Sequence, residues 1–368
     1  MGCMRCAPDA EVEAYGQRLG DACSEADMMV RQRCRRRGWA CTPGVRRRPG
    51  RRPAGCRAIP PTGAARIVRA RAVTQEPKDY EREARIFYPV IIQVTHHQKI
   101  GSAGMDMAPK PKGLAPEYGA QFRDESVADA YPTRPPYPTE VFDVLAGLAR
   151  DEPRTVLDLG CGTGDIARPL APRVSRVDAV DPSPAMLAGG RALPCGDHPH
   201  LHWIRASAEE FDYPAPFALV VAAESLHWMD WGVVLPRIGR ALSPRGRLAL
   251  VVGRGFIDVP WAANLRPLID AYSTNRDFAP YDLVGELTGR GLFAVEGHLQ
   301  TAPVPFAQPV AAYVESWHSR NGFSRERMGA RAAEFDTQLT ALVRPFAVAD
   351  WLSFRLVADI VWGHPQRG

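Results

Sequence analysis

Apolar and polar positions follow two alternating periods along the second half of this chain. Short apolar runs at residues 155–159, 176–180, 201–205, 218–222 and 247–252 read as buried strands. Residues 165–171, 184–192 and 233–242 carry the wider spacing of helices. Ahead of them, Thr139 can cap a helix running to about Arg150, with Glu140 and Asp143 in its first turn. Strand and helix in alternation predict a mainly parallel sheet covered on both faces. Residues 292–299 and 353–362 read as two further strands, the last antiparallel, which makes seven in all. Between them, residues 310–317 and 325–343 read as helices. The expectation is an α/β fold, a three-layer αβα sandwich on a seven-stranded sheet, with a helical lid inserted at about residues 303–350.

The first 106 residues look different. They carry 20 Lys/Arg against 11 Asp/Glu, a net +9, whereas residues 107–368 carry 26 against 30, a net −4. From Arg31 to Arg71 there is no acid, and Pro and Gly are interspersed. Such a stretch cannot bury enough apolar surface to offset its ordering entropy. It is expected to be a disordered extension, with residues 107–368 as the folded domain. Residues 85–95 hold one stray strand pattern. The mildly acidic domain argues against a nucleic-acid partner, which needs a broad basic surface. An Arg-rich tail guiding the chain to RNA stays as a rival.

Six of the eight cysteines lie in the extension, and Cys3-x-x-Cys6 has no second pair or His at finger spacing. No metal is expected. Nothing suggests a disulfide framework, no apolar run is long enough for a membrane span, and no secretory start is apparent. A cytoplasmic location is the expectation.

The chemistry concentrates in Val156-Leu157-Asp158-Leu159-Gly160-Cys161-Gly162-Thr163-Gly164-Asp165. A strand running into alternate glycines and then a helix is a nucleotide-binding turn, where the backbone can approach a ligand. Asp181 ends the next strand, about twenty residues on, where an acid can accept from ribose hydroxyls. The dinucleotide fingerprint G-x-G-x-x-G fails at its third glycine, where Asp165 stands. Asp165 would repel a pyrophosphate at the helix N-terminus. A ligand with a cationic end suits Asp158 and Asp165, and S-adenosylmethionine is such a ligand. A nicotinamide-dependent dehydrogenase is the disfavoured enzyme rival.

From about Tyr118 onward the chain resembles the class I S-adenosylmethionine-dependent methyltransferases, in the small-molecule group that includes the trans-aconitate and quinone-biosynthesis enzymes. The matching pieces are residues 156–165, Val177 to Leu187, Ala206-Ser207-Ala208-Glu209, Glu224 to Asp230 and Ala241 to Leu248. The resemblance implies a Rossmann-like methyltransferase fold and methyl transfer from S-adenosylmethionine to a small-molecule acceptor, with oxygen favoured as the methylated atom. It implies cofactor contacts from Asp158, Gly160, Gly162, Gly164, Asp181, Ser207 and Ala208. Ser207 stands where the family often has an acid. His227, just beyond the fourth strand, is the candidate base or acceptor-orienting group. Tyr131, Arg134, Trp228 and His318 are the candidate acceptor-side residues. A silent cofactor-binding module would keep the same glycines and Asp181, so only turnover separates it from an enzyme.

The break in charge and composition carries the first prediction. A chain truncated to begin at Met107 is expected to fold and to bind cofactor like the full chain, as read by circular dichroism and calorimetry. Insolubility or lost binding in the truncated chain alone would make the extension a structural part of the domain.

Overall fold

The computed structural model describes residues 110–366, apart from 215 and 280. The expectations placed on residues 1–106, including the strand pattern at 85–95, lie outside the described residues.

Eight strands form one sheet: β1 (Thr155–Leu159), β2 (Arg176–Asp181), β3 (Leu201–Arg205), β4 (Phe217–Ala223), β5 (Leu242–Ile257), β6 (Phe293–Gln300), β7 (Val304–Pro309) and β8 (Trp351–Pro365). Their order is β3-β2-β1-β4-β5-β8-β6, with β7 paired to β8. The first five run parallel, and β8 is antiparallel to β5, β6 and β7. The expected seven strands are all present. The eighth, β7, contains Pro305 and ends on Pro309, residues that disguise a strand and are tolerated at an edge.

Eleven α-helices accompany the sheet among the described residues: α1 (Pro116–Gly119), α2 (Glu125–Ala130), α3 (Glu140–Leu148), α4 (Ala167–Leu170), α5 (Pro184–Ala192), α6 (Trp231–Ala241), α7 (Ala262–Tyr272), α8 (Leu283–Gly289), α9 (Val310–His318), α10 (Arg325–Met328) and α11 (Arg331–Val343). Thr139 does not cap α3. It stands at the N-cap position with helical φ and ψ, but its side chain makes no cap hydrogen bond, while Asp143 pairs with Arg173 at 2.5 Å. The helix expected at 165–171 begins only at Ala167 and tightens into a 3₁₀ turn over Ala171–Arg173, where Pro172 cannot supply an amide. The long helix expected at 325–343 breaks at Gly329, whose φ of +57° lies in the left-handed region. Asp230 caps α6 through the amides of Gly232 and Val233.

Parallel strands are buried on both faces. One face packs Leu157, Leu159, Val220 and Leu250 under α6 and α8, and the other packs Val156, Val177, Val221 and Val251 under α3 and α4. A third core holds the cap together. Trp261 and Leu265 of the segment after β5 meet Tyr313, Trp317, Phe335 and Leu339 of α9 and α11. Strand β8 serves two of these cores. Leu352, Phe354 and Leu356 alternate toward the cap, and Ala358 and Ile360 then enter the sheet's own core. The cap therefore takes in α7 as well as the expected insertion. No described helix is long and apolar enough to cross a membrane.

The turn after β1 depends on glycine. Gly164 has φ +77°, and a Cβ there would stand 2.5 Å from Trp203 Cη2. Gly164→Ala is expected to destabilise the fold by about 1–3 kcal/mol, measured by urea unfolding. Gly147→Ala, in open space within α3, should instead gain about 0.5–1 kcal/mol.

Candidate functional site

Three strand ends are tied together at the carboxyl edge of the sheet. Gly160 and Gly162 have φ +72° and +55°, conformations that side chains rarely adopt. The amides of Gly160 and Cys161 both donate to Val180 O. Asp181 Oδ2 accepts from Gly162 N at 2.9 Å, and Oδ1 accepts from Ser183 N at 2.8 Å. Ser225 Oγ donates to Leu159 O at 2.6 Å, and a Cβ on Gly160 would meet Ser225 Cβ at 2.6 Å. The three loops can approach this closely only where no side chain intervenes.

A cavity of about 1170 Å³ lies over these ends. Gly160, Gly162, Asp181, Ser207, Ala208 and His227 line it from the sheet side. Tyr131, Arg134 and Trp228 line it too. Those nine candidates come together, and three others do not. Gly164 packs against Trp203 outside the cavity wall. Asp158 lies beneath the turn, 1% exposed, and accepts from the Ala167 amide, with Oδ2 left without a partner. His318 is a correction to the expected acceptor side. It is fully buried in the cap, with Nδ1 against Phe323 O at 2.8 Å and Nε2 against Asp336 Oδ1 at 2.6 Å. Both ring nitrogens are spent on holding the cap. Asp165, expected to face a cationic ligand, pairs instead with Arg168 at 3.1 Å and lies outside the lining.

Local bonds limit what several lining residues can do. Ser207 Oγ donates to Glu210 Oε2 at 3.0 Å and accepts from Glu210 N. Arg134 stacks 4.2 Å over the Tyr131 ring, and bonds Ser319 Oγ at 2.8 Å, Ser319 O at 2.5 Å and Tyr131 Oη at 3.2 Å. It links the chain before α3 to the cap. Gln121 and Asn275 make similar links, to Gly322 N and Gly113 O. Trp228 packs on Phe122, ring centres 5.7 Å apart.

Burial sets the charge states. His227 is 3% exposed, its Nδ1 has no partner, and desolvation, with Lys110 adding to it, lowers its pKa to about 3. The imidazole is therefore neutral at ordinary pH and weakly basic, a poor match for removing a proton there. Burial likewise raises the Asp181 pKa, against the two amides that favour its anion. Lys110 lines the cavity with Nζ on Met229 O at 2.7 Å and 4.9 Å from the Trp231 ring centre. Its pKa falls to about 8, chiefly through burial.

Several lining residues escaped the sequence reading: Lys110, Arg123, Glu224, Phe278 and Phe323. Glu224 adopts φ +54° at the end of β4, a conformation the sequence does not signal. The others come from segments far apart in the chain and carry no shared motif.

Residues 156–246 match a family described as a methyltransferase domain. An uncharacterized methyltransferase of Mycobacterium tuberculosis is 36% identical over 137 residues, covering 37% of this chain and 54% of the relative. A trans-aconitate 2-methyltransferase of Azoarcus sp. is 34% identical over 137 residues, covering 33% of this chain and 52% of the relative. The matched stretch spans about half the length of each. Among solved structures, a methyltransferase from Geobacter sulfurreducens in complex with S-adenosyl-L-homocysteine is 16% identical, with a TM-score of 0.39, covering 63% of this chain and 92% of that one.

Asp158 generates a prediction on stability. Desolvation raises its pKa from the ordinary 3.8 to about 8, with Asp181 and Asp165 adding and the Ala167 amide opposing. Between those values the native protein holds a proton that the unfolded chain has lost. Stability must then fall as pH rises from about 4 to about 8. Asp158→Asn keeps an acceptor for Ala167 and has no proton to lose. Its melting temperature relative to wild type is expected to climb steadily from pH 5 to pH 8. A difference that stays flat or shrinks would contradict the buried, protonated acid.

Proposed function

Because residues 156–246 belong to the class I S-adenosylmethionine-dependent methyltransferases, we propose that this protein transfers a methyl group from S-adenosylmethionine to an oxygen of a small-molecule acceptor. The observation that carries the reading is Asp181. Its carboxylate borders the cavity at the end of β2, each oxygen anchored by one backbone amide. Each oxygen keeps capacity to accept from a ribose hydroxyl.

The residues present fit the cofactor. Gly162 has no side chain, and a Cβ there would stand 3.3 Å from Tyr131 Oη. That bare backbone lets Tyr131 close directly over the turn. The Arg134 guanidinium has only neutral hydrogen-bond partners among the described residues, and its charge suits the carboxylate of the methionine part. Ser207 and Ala208 border the end left for the base. When bound, the sulfonium supplies an electrophilic methyl: the acceptor oxygen forms the new O–C bond, the C–S pair returns to sulfur, and a hydroxyl acceptor releases its proton to solvent.

His227 lines the same cavity just beyond the end of β4. Its neutral ring can hold the acceptor in line, and alignment with exclusion of water supplies most of the rate in such a displacement. Lining residues come from both the sheet and the cap, which favours a small acceptor over a polymer.

Calorimetry with S-adenosylhomocysteine and a methyl-transfer screen with labelled cofactor test the reading together. Asp181→Ala should weaken cofactor binding by about 1.5–3 kcal/mol, the worth of charge-assisted hydrogen bonds. His227→Phe should leave that affinity nearly unchanged and lower turnover by about 10- to 100-fold through misalignment. The wild-type rate should show no acid limb near pH 6.5, since the imidazole protonates only near pH 3. Unchanged affinity in Asp181→Ala, or tighter binding of NAD than of S-adenosylmethionine, would sink the assignment.

A further inference from the structure

We infer that the acceptor is a flat, ring-bearing molecule carrying at most one negative charge, its ring packed on Phe122, Trp228 and Phe278. This rests on the methyltransferase reading and narrows it to a substrate class.

The cavity is large enough for two molecules. Single small-molecule sites run to roughly 300–1,000 Å³, and this one holds about 1170 Å³. Glycines and Asp181 border one part of it. Phe122, Trp228, Ile269 and Phe278 add half-buried apolar surface to the lining, and Trp317 and Phe323 border it while almost fully buried. The Phe122 and Trp228 rings are close, with centres 5.7 Å apart. Trp228 also stands 4.7 Å from the His227 ring, which places this pair beside the group that would orient the acceptor. Aromatic faces of this kind gain most from another ring, through area burial and offset or edge contacts.

Charge decides against an open-chain polyacid. The lining has five cationic side chains (Lys110, Lys112, Arg123, Arg134, Arg320) and five acidic ones (Glu117, Asp181, Glu209, Glu224, Asp230). The formal balance is zero. The cofactor brings a sulfonium, an ammonium and a carboxylate, a net charge of +1. One anionic group on the acceptor is thereby compensated. A trianion would leave two charges uncompensated by the lining and the cofactor.

The test uses the full chain saturated with S-adenosylhomocysteine. Calorimetry compares ring-bearing probes (4-hydroxybenzoate, indole-3-acetate, 2-naphthoate) with open-chain acids (succinate, tricarballylate, trans-aconitate). At least one ring probe is expected to bind ten-fold or more tightly than every open-chain acid. Phe278→Ala, at a half-buried position, should cut that ring-probe affinity by about ten-fold and leave S-adenosylhomocysteine binding unchanged. Open-chain acids binding as tightly as the ring probes, or no ring probe binding at all, would overturn the inference. S-adenosylhomocysteine binding is read in the same experiment, so the methyltransferase reading stands or falls separately.

Discussion

Two backbone amides on one carboxylate hold the site in register. Asp181 accepts from Gly162 in the turn after β1 and from Ser183 at the cap of α5. The hydrogen bonds lock two loops at neighbouring strand ends, and Ser225 on Leu159 O adds the loop after β4. Close approach of the three requires the bare backbone at Gly160 and Gly162. Burial works against the charge that makes this possible, since desolvation raises the Asp181 pKa. The amides and the electropositive start of α5 oppose that cost.

The far side of the cavity is built by different physics. Its wall depends on a separate aromatic core, where Trp261 donates to Tyr313 Oη at 2.8 Å and Phe335 packs against Trp317, Tyr272 and Phe323. The chain before α3 is stitched to that cap by polar contacts, with Arg134 on Ser319, Gln121 on Gly322 and Asn275 on Gly113. One wall thus comes from short hydrogen bonds at strand ends and the other from ring packing.

Two buried ionisable groups illustrate the same economy of charge. Asp158 and His227 are both deeply buried, and in both desolvation favours the neutral form. Asp158 then acts as a cap for the Ala167 amide and supports the turn from below. His227 offers the cavity a neutral, shaped hydrogen-bonding ring. In the proposed displacement, whose rate comes from alignment, both would act through geometry.

Local sequence was enough for the sheet and for the turn that serves it. Apolar runs placed β1 to β6 and β8, and glycines next to a strand end marked the places where backbone could approach a ligand. Asp181 was legible because its distance from those glycines is set by one helix and one strand. These features depend on neighbours within about twenty residues. Side-chain destinations were not legible in the same way. Asp158, Gly164 and Asp165 share the motif with Gly160 and Gly162, yet one is buried below the turn, one packs on Trp203 and one pairs with Arg168. His318 looked like a lid residue facing the acceptor, and the cap uses both its nitrogens internally. Strand β7 was hidden by its prolines until β8 supplied a partner. The aromatic wall joins residues 122, 228, 278, 317 and 323, a grouping that no local period encodes. Periodicity and turn chemistry are properties of adjacent residues, whereas a cavity is a property of surfaces that meet only after the chain has folded.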